Sequence, residues 1–154
     1  PKARRMRSLY REMEEIMKIM VSACLLGENC KYSGGNNYCQ RVGEFVQGKE
    51  VIRVCPEVAA GMGIPRTPIE IVNGVVMDRD GNNVDAILRA AVAEILKRLE
   101  GEQVTCAVLK SRSPTCGVKQ VYDGTFSGVL RDGSGILAQA LKDAGYTVID
   151  SEEV

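Results

Sequence analysis

Three short apolar segments of the sequence each lead to a cysteine and then give way to glycine, proline or polar residues. They are "IMVSAC" (19–24), "VIRVC" (51–55) and "VTCAVLK" (104–110), the last of which reaches Cys116 after a short loop. Apolar runs of this length, bounded by turn residues, are typical of strands that are buried on both faces. The first constraint on the fold is therefore a sheet with a buried centre.

Two helices are predicted between and after these strands. The segment 82–101 repeats apolar residues at helical spacing and stops at Gly101, and 134–145 forms a second helix with Ser134 as N-cap and Gly145 beyond its end. The apolar face of the first helix comprises Val84, Ile87, Leu88, Ala91, Val92, Ile95, Leu96 and Leu99.

Further elements complete an alternating pattern. A short helical stretch is predicted near 38–47 and a last strand at 146–150, while Asn73-Gly74 between β-branched runs indicates a type I′ hairpin. Strands that alternate with helices predict an α/β fold: a Rossmann-like open, mostly parallel sheet flanked by helices, with an inserted β-hairpin. The loop 111–128 is long for a compact domain, and such loops are usually functional.

The chain of 154 residues is interpreted as one α/β domain over 18–154, preceded by an N-terminal extension, 1–17. Within the extension, 6–17 has the spacing of an amphipathic helix. Twenty basic residues balance twenty acidic ones, and no apolar run is long enough for a membrane span. We therefore expect a cytoplasmic protein without a membrane or macromolecular nucleic-acid partner.

The chain has six cysteines and no histidine, which excludes histidine-dependent nucleophilic catalysis and histidine-containing zinc sites. If the three strands are neighbours in a parallel sheet, Cys24, Cys55 and Cys116 converge at its carboxyl edge, where such sheets bind ligands. Convergent thiolates suit a soft metal centre, an iron–sulfur cluster or zinc, and three ligands leave one metal position open. Cys30 is a further candidate ligand, whereas Cys106 is most simply a buried small hydrophobe.

Two alternatives stay open at this point. The cysteines are ordinary buried thiols, or Cys24, Cys30, Cys39 and Cys55 form a structural zinc module. Their gaps of five, eight and fifteen residues are wider than the tight pairs of most such zinc sites.

Four motifs, in this order, add a resemblance: "SACLLGENCKYSGG", "VCPEVAAGMGIPRTPIEIV", "LKSRSPTCG" and "YDGTFSGVL". Together they resemble the thiouracil desulfurase family over about Lys18 to Val154. The resemblance implies a [4Fe–4S] cluster held by Cys24, Cys55 and Cys116, which is expected to be prone to loss in air. It also implies the removal of sulfur, as hydrosulfide, from a thiolated pyrimidine base or nucleotide without net redox chemistry. The alternative is a cluster- or zinc-binding sensor or thionucleotide-binding module without turnover.

The same motifs suggest site residues. Glu57 of "CPE" and Ser113 of "SPTCG" are the expected acid–base pair, since a carboxylate and a hydroxyl can move protons where no histidine is present. Predicted substrate-binding residues are Lys110, Arg112, Arg66, Tyr122 and Asp123. The chain departs from the family's usual Cys-Arg-Tyr-Asp-Gly at Ser33, where the family has a carboxylate, so any substrate contact made by that carboxylate is missing here.

Overall fold

The centre of the protein is a four-stranded sheet in which every neighbouring pair of strands is parallel. The computed structural model describes residues 2–5 and 18–154. The helix predicted at 6–17 and most of the proposed N-terminal extension lie outside these residues. The strands of the sheet are β1 (Lys18–Ser22), β2 (Glu50–Val54), β5 (Val104–Leu109) and β8 (Thr147–Asp150), in the order β2-β1-β5-β8.

Within residues 18–154, four α-helices and two hairpins accompany the sheet. The helices are α1 (Gln40–Val46), α2 (Pro56–Ala59), α3 (Asp85–Leu99) and α4 (Ile136–Asp143). The hairpins pair β3 (Ile69–Val72) with β4 (Val75–Asp78), and β6 (Gln120–Tyr122) with β7 (Leu130–Asp132). Short 3-10 turns follow β1 and β8, at Ala23–Leu26 and Ser151–Glu153.

The two central strands, β1 and β5, are buried on both faces over most of their length, which explains why they are largely apolar. Side chains alternate between the faces: Ile19 and Val21 belong to a core cluster that includes residues of α1, whereas Met20 belongs to the cluster built around α3 and α4. Cys106 lies in β5 and is 5% exposed, so its interpretation as a small buried hydrophobe is confirmed.

The predicted α/β architecture is confirmed, and three details of the prediction are wrong. Ile87 is 47% exposed rather than part of the buried face of α3. The loop 111–128 contains β6, which forms a second hairpin with β7. Ser134 does not cap α4, because its hydroxyl donates to the carbonyl of Val118 and Gly135 occupies the N-cap position.

The first hairpin turns as its sequence predicts, with Asn73 and Gly74 both at positive φ. None of the helices in the described part of the chain combines the length and the apolar character that are required to cross a bilayer.

Candidate active site

A cavity of about 480 Å³ lies beyond the carboxyl ends of β1, β2 and β5. Because β1 pairs with both β2 and β5, the segments that follow these three strands meet at one edge of the sheet. Four cysteines line the cavity: Cys24, Cys30, Cys55 and Cys116. Open parallel sheets bind their ligands in this position.

The first two strand ends place their cysteines by short turns. Cys24 lies in the 3-10 turn after β1, and its carbonyl accepts hydrogen bonds from the backbone N–H groups of Gly27 and Asn37. Cys55 is the N-cap of α2, with Pro56 at the first helical position. Proline is favoured there because its fixed φ suits the helix and its missing N–H would have had no intrahelical partner.

The third cysteine is held by a tight turn over 113–117, the ligand turn. The Ser113 hydroxyl oxygen accepts from the backbone N–H of Thr115 at 3.2 Å and of Cys116 at 3.1 Å, and the Ser113 carbonyl accepts from Gly117 at 2.8 Å. These bonds fix the backbone on both sides of the Cys116 thiol, which is part of a residue only 4% exposed.

Helix α4 anchors the ligand turn from the other side. The N–H of Gly135 donates to Gly117 O, and those of Ile136 and Leu137 donate to Pro114 O and Thr115 O, at 2.7–3.0 Å. The first N–H groups of a helix have no partner within it, and here they bind the carbonyls of the turn. This is why α4 needs no side-chain cap from Ser134.

Two glycines allow the ligand turn to pack closely, one against α4 and one against the segment that follows the turn. A Cβ at Gly135 would lie 2.4 Å from the carbonyl carbon of Thr115, and one at Gly117 would lie 2.6 Å from the carbonyl oxygen of Gln120. Both distances are shorter than carbon can tolerate, so only glycine fits at either position.

Cys30 reaches the cavity through a separate loop. It is 7% exposed, and its carbonyl accepts from Arg66 Nη2 at 2.7 Å. The Arg66 guanidinium also donates to Gly63 O at 3.1 Å, and its backbone N–H donates to Tyr32 O at 2.8 Å. Arg66, predicted to bind substrate, lines the cavity and at the same time ties the Cys30 loop to the segment after α2.

Burial raises the pKa of all four cavity thiols. For Cys116 the pKa rises to about 12. The charge of Glu57 adds to the effect of burial, whereas hydrogen bonds with Ser22 and Thr115 oppose the rise. For Cys24, the hydrogen bond with Asn37 and the Lys110 charge oppose the rise in pKa. These thiols are protonated near neutral pH unless a cation draws them into the thiolate form.

The predicted acid–base pair is joined by a residue that the sequence analysis did not identify. Thr115, fully buried, has its hydroxyl 3.0 Å from Glu57 Oε1 and 2.9 Å from Ser113 Oγ. Glu57 Oε2 also accepts from the Cys55 thiol at 3.6 Å. Glu57, Thr115 and Ser113 therefore form a continuous hydrogen-bonded chain beside two of the thiols.

The predicted substrate-binding residues do not all face the cavity. Lys110 and Tyr122 line it, as does Arg112, whose guanidinium binds Glu152 at 2.8 Å. Asp123 is not among the lining residues, and hydrogen bonds from Thr125 hold its pKa below the ordinary value.

The cavity is rich in cations. Besides Arg112, four basic residues line it, and within the described residues none of the four is in a salt bridge; they are Lys31, Arg66, Arg79 and Lys110. The lining contains two carboxylates, Glu57 and Glu70. Lys31 and Arg79 were missed because isolated basic residues carry no local signal of a cavity in the sequence.

A zinc module of the proposed kind is not formed. Cys39 lies outside the cavity and packs against the core cluster that includes residues of α1. Among residues 2–5 and 18–154, no three cysteine or carboxylate side chains are close enough together to hold one metal ion. A four-iron cluster binds each cysteine through a different iron atom and takes more widely spaced thiols. Cysteine thiols are the donor type that such a cluster takes, and four of them line the cavity.

Comparisons with known proteins bear on this arrangement. Residues 19–153 match the profile of a family described as 2-thiouracil desulfurase. The chain is 34% identical over 146 residues to the uncharacterized protein YbbK of Bacillus subtilis strain 168, a match that covers 88% of this chain and 97% of that protein.

A solved structure is similar as well. The [4Fe-4S]-dependent thiouracil desulfidase TudS superposes with a TM-score of 0.81 at 31% identity, over 90% of this chain and 93% of that one. The family match runs from β1 to the C-terminal 3-10 turn and includes every residue that lines the cavity.

Proposed function

The chain belongs to the 2-thiouracil desulfurase family, and we propose that it is a [4Fe–4S]-dependent enzyme that removes sulfur from thiolated pyrimidines. The observation that carries this proposal is the convergence of Cys24, Cys55 and Cys116, from three adjacent strand ends, on one cavity. These three thiols are the proposed ligands, and Cys30 is close enough to the same cavity to contribute to its lining.

In the proposed reaction, water replaces sulfur at the ring carbon. A carbon–oxygen bond forms, the carbon–sulfur bond breaks, and sulfur leaves as hydrosulfide, so no atom is oxidised or reduced. When bound, a cluster with one iron free of protein ligands supplies a Lewis-acid centre that prefers sulfur.

Protons are handled by the chain Glu57–Thr115–Ser113. Ser113 Oγ accepts two backbone N–H groups, so its own proton is directed to Thr115, whose proton is directed to Glu57. Glu57 is in a position to take a proton from the attacking water. A protonated Glu57 donates to Thr115, Thr115 then donates to Ser113, and the Ser113 proton becomes available to the substrate. Thr115 links the two groups.

Substrate contacts are assigned to the cationic lining. Lys110 and Arg66 are proposed to hold the oxygen atoms of the base or the phosphate of a nucleotide, with Lys31 and Arg79 as additional phosphate contacts. Tyr122 contributes an aromatic wall. Since Arg112 is bound to Glu152 and Asp123 to Thr125, we assign these two residues to supporting the cavity wall.

The proposed location is the cytoplasm, because all six cysteines are free and the proposed cluster needs a reducing environment.

The first test measures iron and acid-labile sulfide after anaerobic purification. We expect about four of each per chain, and a loss of both when Cys24, Cys55 or Cys116 is replaced by serine. Cys106→Ser is the control, because this residue is as buried as Cys116 but lies within β5, outside the cavity. Zinc in place of iron, or iron that survives all three substitutions, would overturn the ligand assignment.

The second test measures hydrosulfide release from 2-thiouracil, 4-thiouracil and 4-thiouridine monophosphate. Glu57→Ala is expected to lower kcat by about 100-fold or more without changing the iron content. Ser113→Ala should lower kcat per bound iron to a similar extent, with iron measured in each preparation because the Ser113 hydroxyl also holds the ligand turn. An iron-loaded protein that binds these compounds but releases no sulfide would instead be a thionucleotide-binding module.

A further inference from the structure

A buried carboxylate outside the proposed machinery holds one wall of the cavity. Glu70, on β3, is 9% exposed, and its Oε1 accepts from the backbone N–H groups of Gly124 at 3.0 Å and Phe126 at 3.1 Å. Within the described residues it takes part in no salt bridge. Burying a charge in this way is costly unless it is hydrogen-bonded, so Glu70 serves as a clamp on the turn 123–128.

The clamped turn has an unusual backbone. Phe126 has φ +55°, a left-handed conformation that is a genuine outlier for a bulky side chain. Gly124, at φ +92°, lies so close to β3 that a Cβ would be 2.5 Å from Ile71 O. The turn is therefore pressed against β3, and Phe126 is held in a conformation that it would not adopt in isolation.

This conformation does not help to build the core. Phe126 belongs to neither buried cluster, and it lines the cavity. Residues in sparsely populated conformations persist only where the surrounding structure fixes them, and they concentrate at functional sites.

We propose that Phe126 is a specificity residue, whose ring forms the face on which the pyrimidine stacks, and that Glu70 is the positioning residue that presents it. This inference rests on the proposed function, since it assumes a planar heterocycle in the cavity. Tyr32 and Tyr122 also line the cavity, but Tyr32 is 45% exposed and neither has a positive φ. Of these three aromatic residues, Phe126 is the one whose backbone is held in a strained conformation by a buried carboxylate.

The central variant is Phe126→Gly, because glycine accepts the positive φ without strain. Loss of stacking on a base is expected to raise KM, and the Kd for the product nucleotide, by about tenfold, while kcat changes by less than about threefold. Thermal stability should be unchanged or increased. Phe126→Tyr keeps an aromatic face and should stay close to the wild-type KM.

The role of Glu70 is tested by two variants. Glu70→Ala removes the acceptor of both N–H groups and should reproduce the rise in KM, whereas Glu70→Gln retains an oxygen at the same place and should restore most of the affinity. If Glu70 acts through Phe126, the double variant Glu70→Ala/Phe126→Gly has the KM of Phe126→Gly alone. Additive effects would assign Glu70 a separate role and overturn its positioning of Phe126.

Asn73→Gly is the matched control. Asn73 also has a positive φ but lies in the β3–β4 turn and does not line the cavity. Its replacement relieves the same kind of backbone conformation and should leave KM and Kd unchanged.

Binding of uridine monophosphate to the holoenzyme, measured by calorimetry, separates this inference from the proposed function. If the wild type releases sulfide and Phe126→Gly has the same KM and Kd as the wild type, the stacking role is overturned and the desulfurase function stands. Phe126-dependent binding without any sulfide release would support stacking and overturn the function. Absence of both binding and turnover in the wild type would overturn both.

Discussion

The ligand turn, 113–117, and the loop 27–37 face the same cavity, and the protein holds them in different ways. The ligand turn is fixed by backbone bonds from the first residues of α4 and by the Ser113 hydroxyl. The loop that carries Cys30 is tied to the segment after α2 by Arg66, through its guanidinium and its backbone N–H, and to β2 by the exposed Glu28–Arg53 ion pair. Backbone bonds persist through most side-chain replacements, whereas two of the three Arg66 hydrogen bonds depend on its guanidinium.

The two regions also differ in burial. Cys116 and Thr115 are 4% and 0% exposed, while Tyr32 of the loop is 45% exposed. This contrast suggests that one side of the cavity is a rigid platform for the ligands and the proton chain, and the other a more adaptable wall near the substrate.

The largest expected effect is a loss of stability when the contact between α4 and the ligand turn is disturbed. In Gly135→Ala, the new Cβ would meet the backbone of Thr115 at 2.4 Å. Overpacking against backbone should cost about 3 kcal/mol of unfolding free energy, which lowers the melting temperature by roughly 6–12 °C in a chain of this size. Calorimetry or circular dichroism measures the change.

The control is Gly101→Ala, at a glycine without a positive φ where an added Cβ would have no heavy atom within 4 Å. Its melting temperature should stay close to that of the wild type. Equal stability of both variants would contradict the close approach of α4 to the ligand turn.

A smaller effect is expected in the loop. Arg66→Ala removes hydrogen bonds from a charged group to Cys30 O and Gly63 O and should cost about 1–2 kcal/mol. Arg53→Ala removes the exposed ion pair with Glu28 and should cost less than about 0.5 kcal/mol, since exposed pairs contribute little. Thermal unfolding compares them, and an equal loss in both variants would show that Arg66 is not a structural tie.

Differences in burial around the cavity should appear in the rates at which its thiols are alkylated. In cluster-free protein, iodoacetamide is expected to modify Cys24 at least about tenfold faster than Cys116. Cys116 is more deeply buried, and its pKa, raised to about 12 chiefly by burial, leaves very little thiolate at a pH of about 8. Peptide mass spectrometry over time gives the two rates, and equal rates would argue that the ligand turn opens as readily as the 3-10 turn after β1.

The smallest effect concerns Ser33, where the family usually has aspartate. Ser33 is exposed and does not line the cavity. Ser33→Asp should therefore change the KM for a thiolated nucleotide by less than about twofold, the range expected of a surface substitution. A larger change would mean that the loop closes onto the substrate and brings this position into contact with it.

The order of the elements could be predicted from local signals. Apolar runs identified the four strands of the sheet, and the periodicity of 82–101 and the Asn73-Gly74 turn identified α3 and the first hairpin. The short β6 and β7 were missed, because strands of three residues carry too little pattern to be distinguished from a loop.

The site was predicted in part. The cysteines at strand ends were identified because the carboxyl edge of a parallel sheet is a binding position whatever the sequence. Thr115, Lys31, Arg79 and the clamp from Glu70 to Phe126 were not, since each acts through residues far away in the chain.

By itself, then, the sequence determined which segments become buried strands and helices, because burial on both faces leaves a continuous apolar run and burial on one face leaves a periodic pattern. Only the tertiary structure decided that α4 would satisfy its first N–H groups on the ligand turn rather than on Ser134. It also decided that a buried glutamate would fix a turn 54 and 56 residues later. Such contacts depend on the distance between elements in space, and no local pattern encodes that distance.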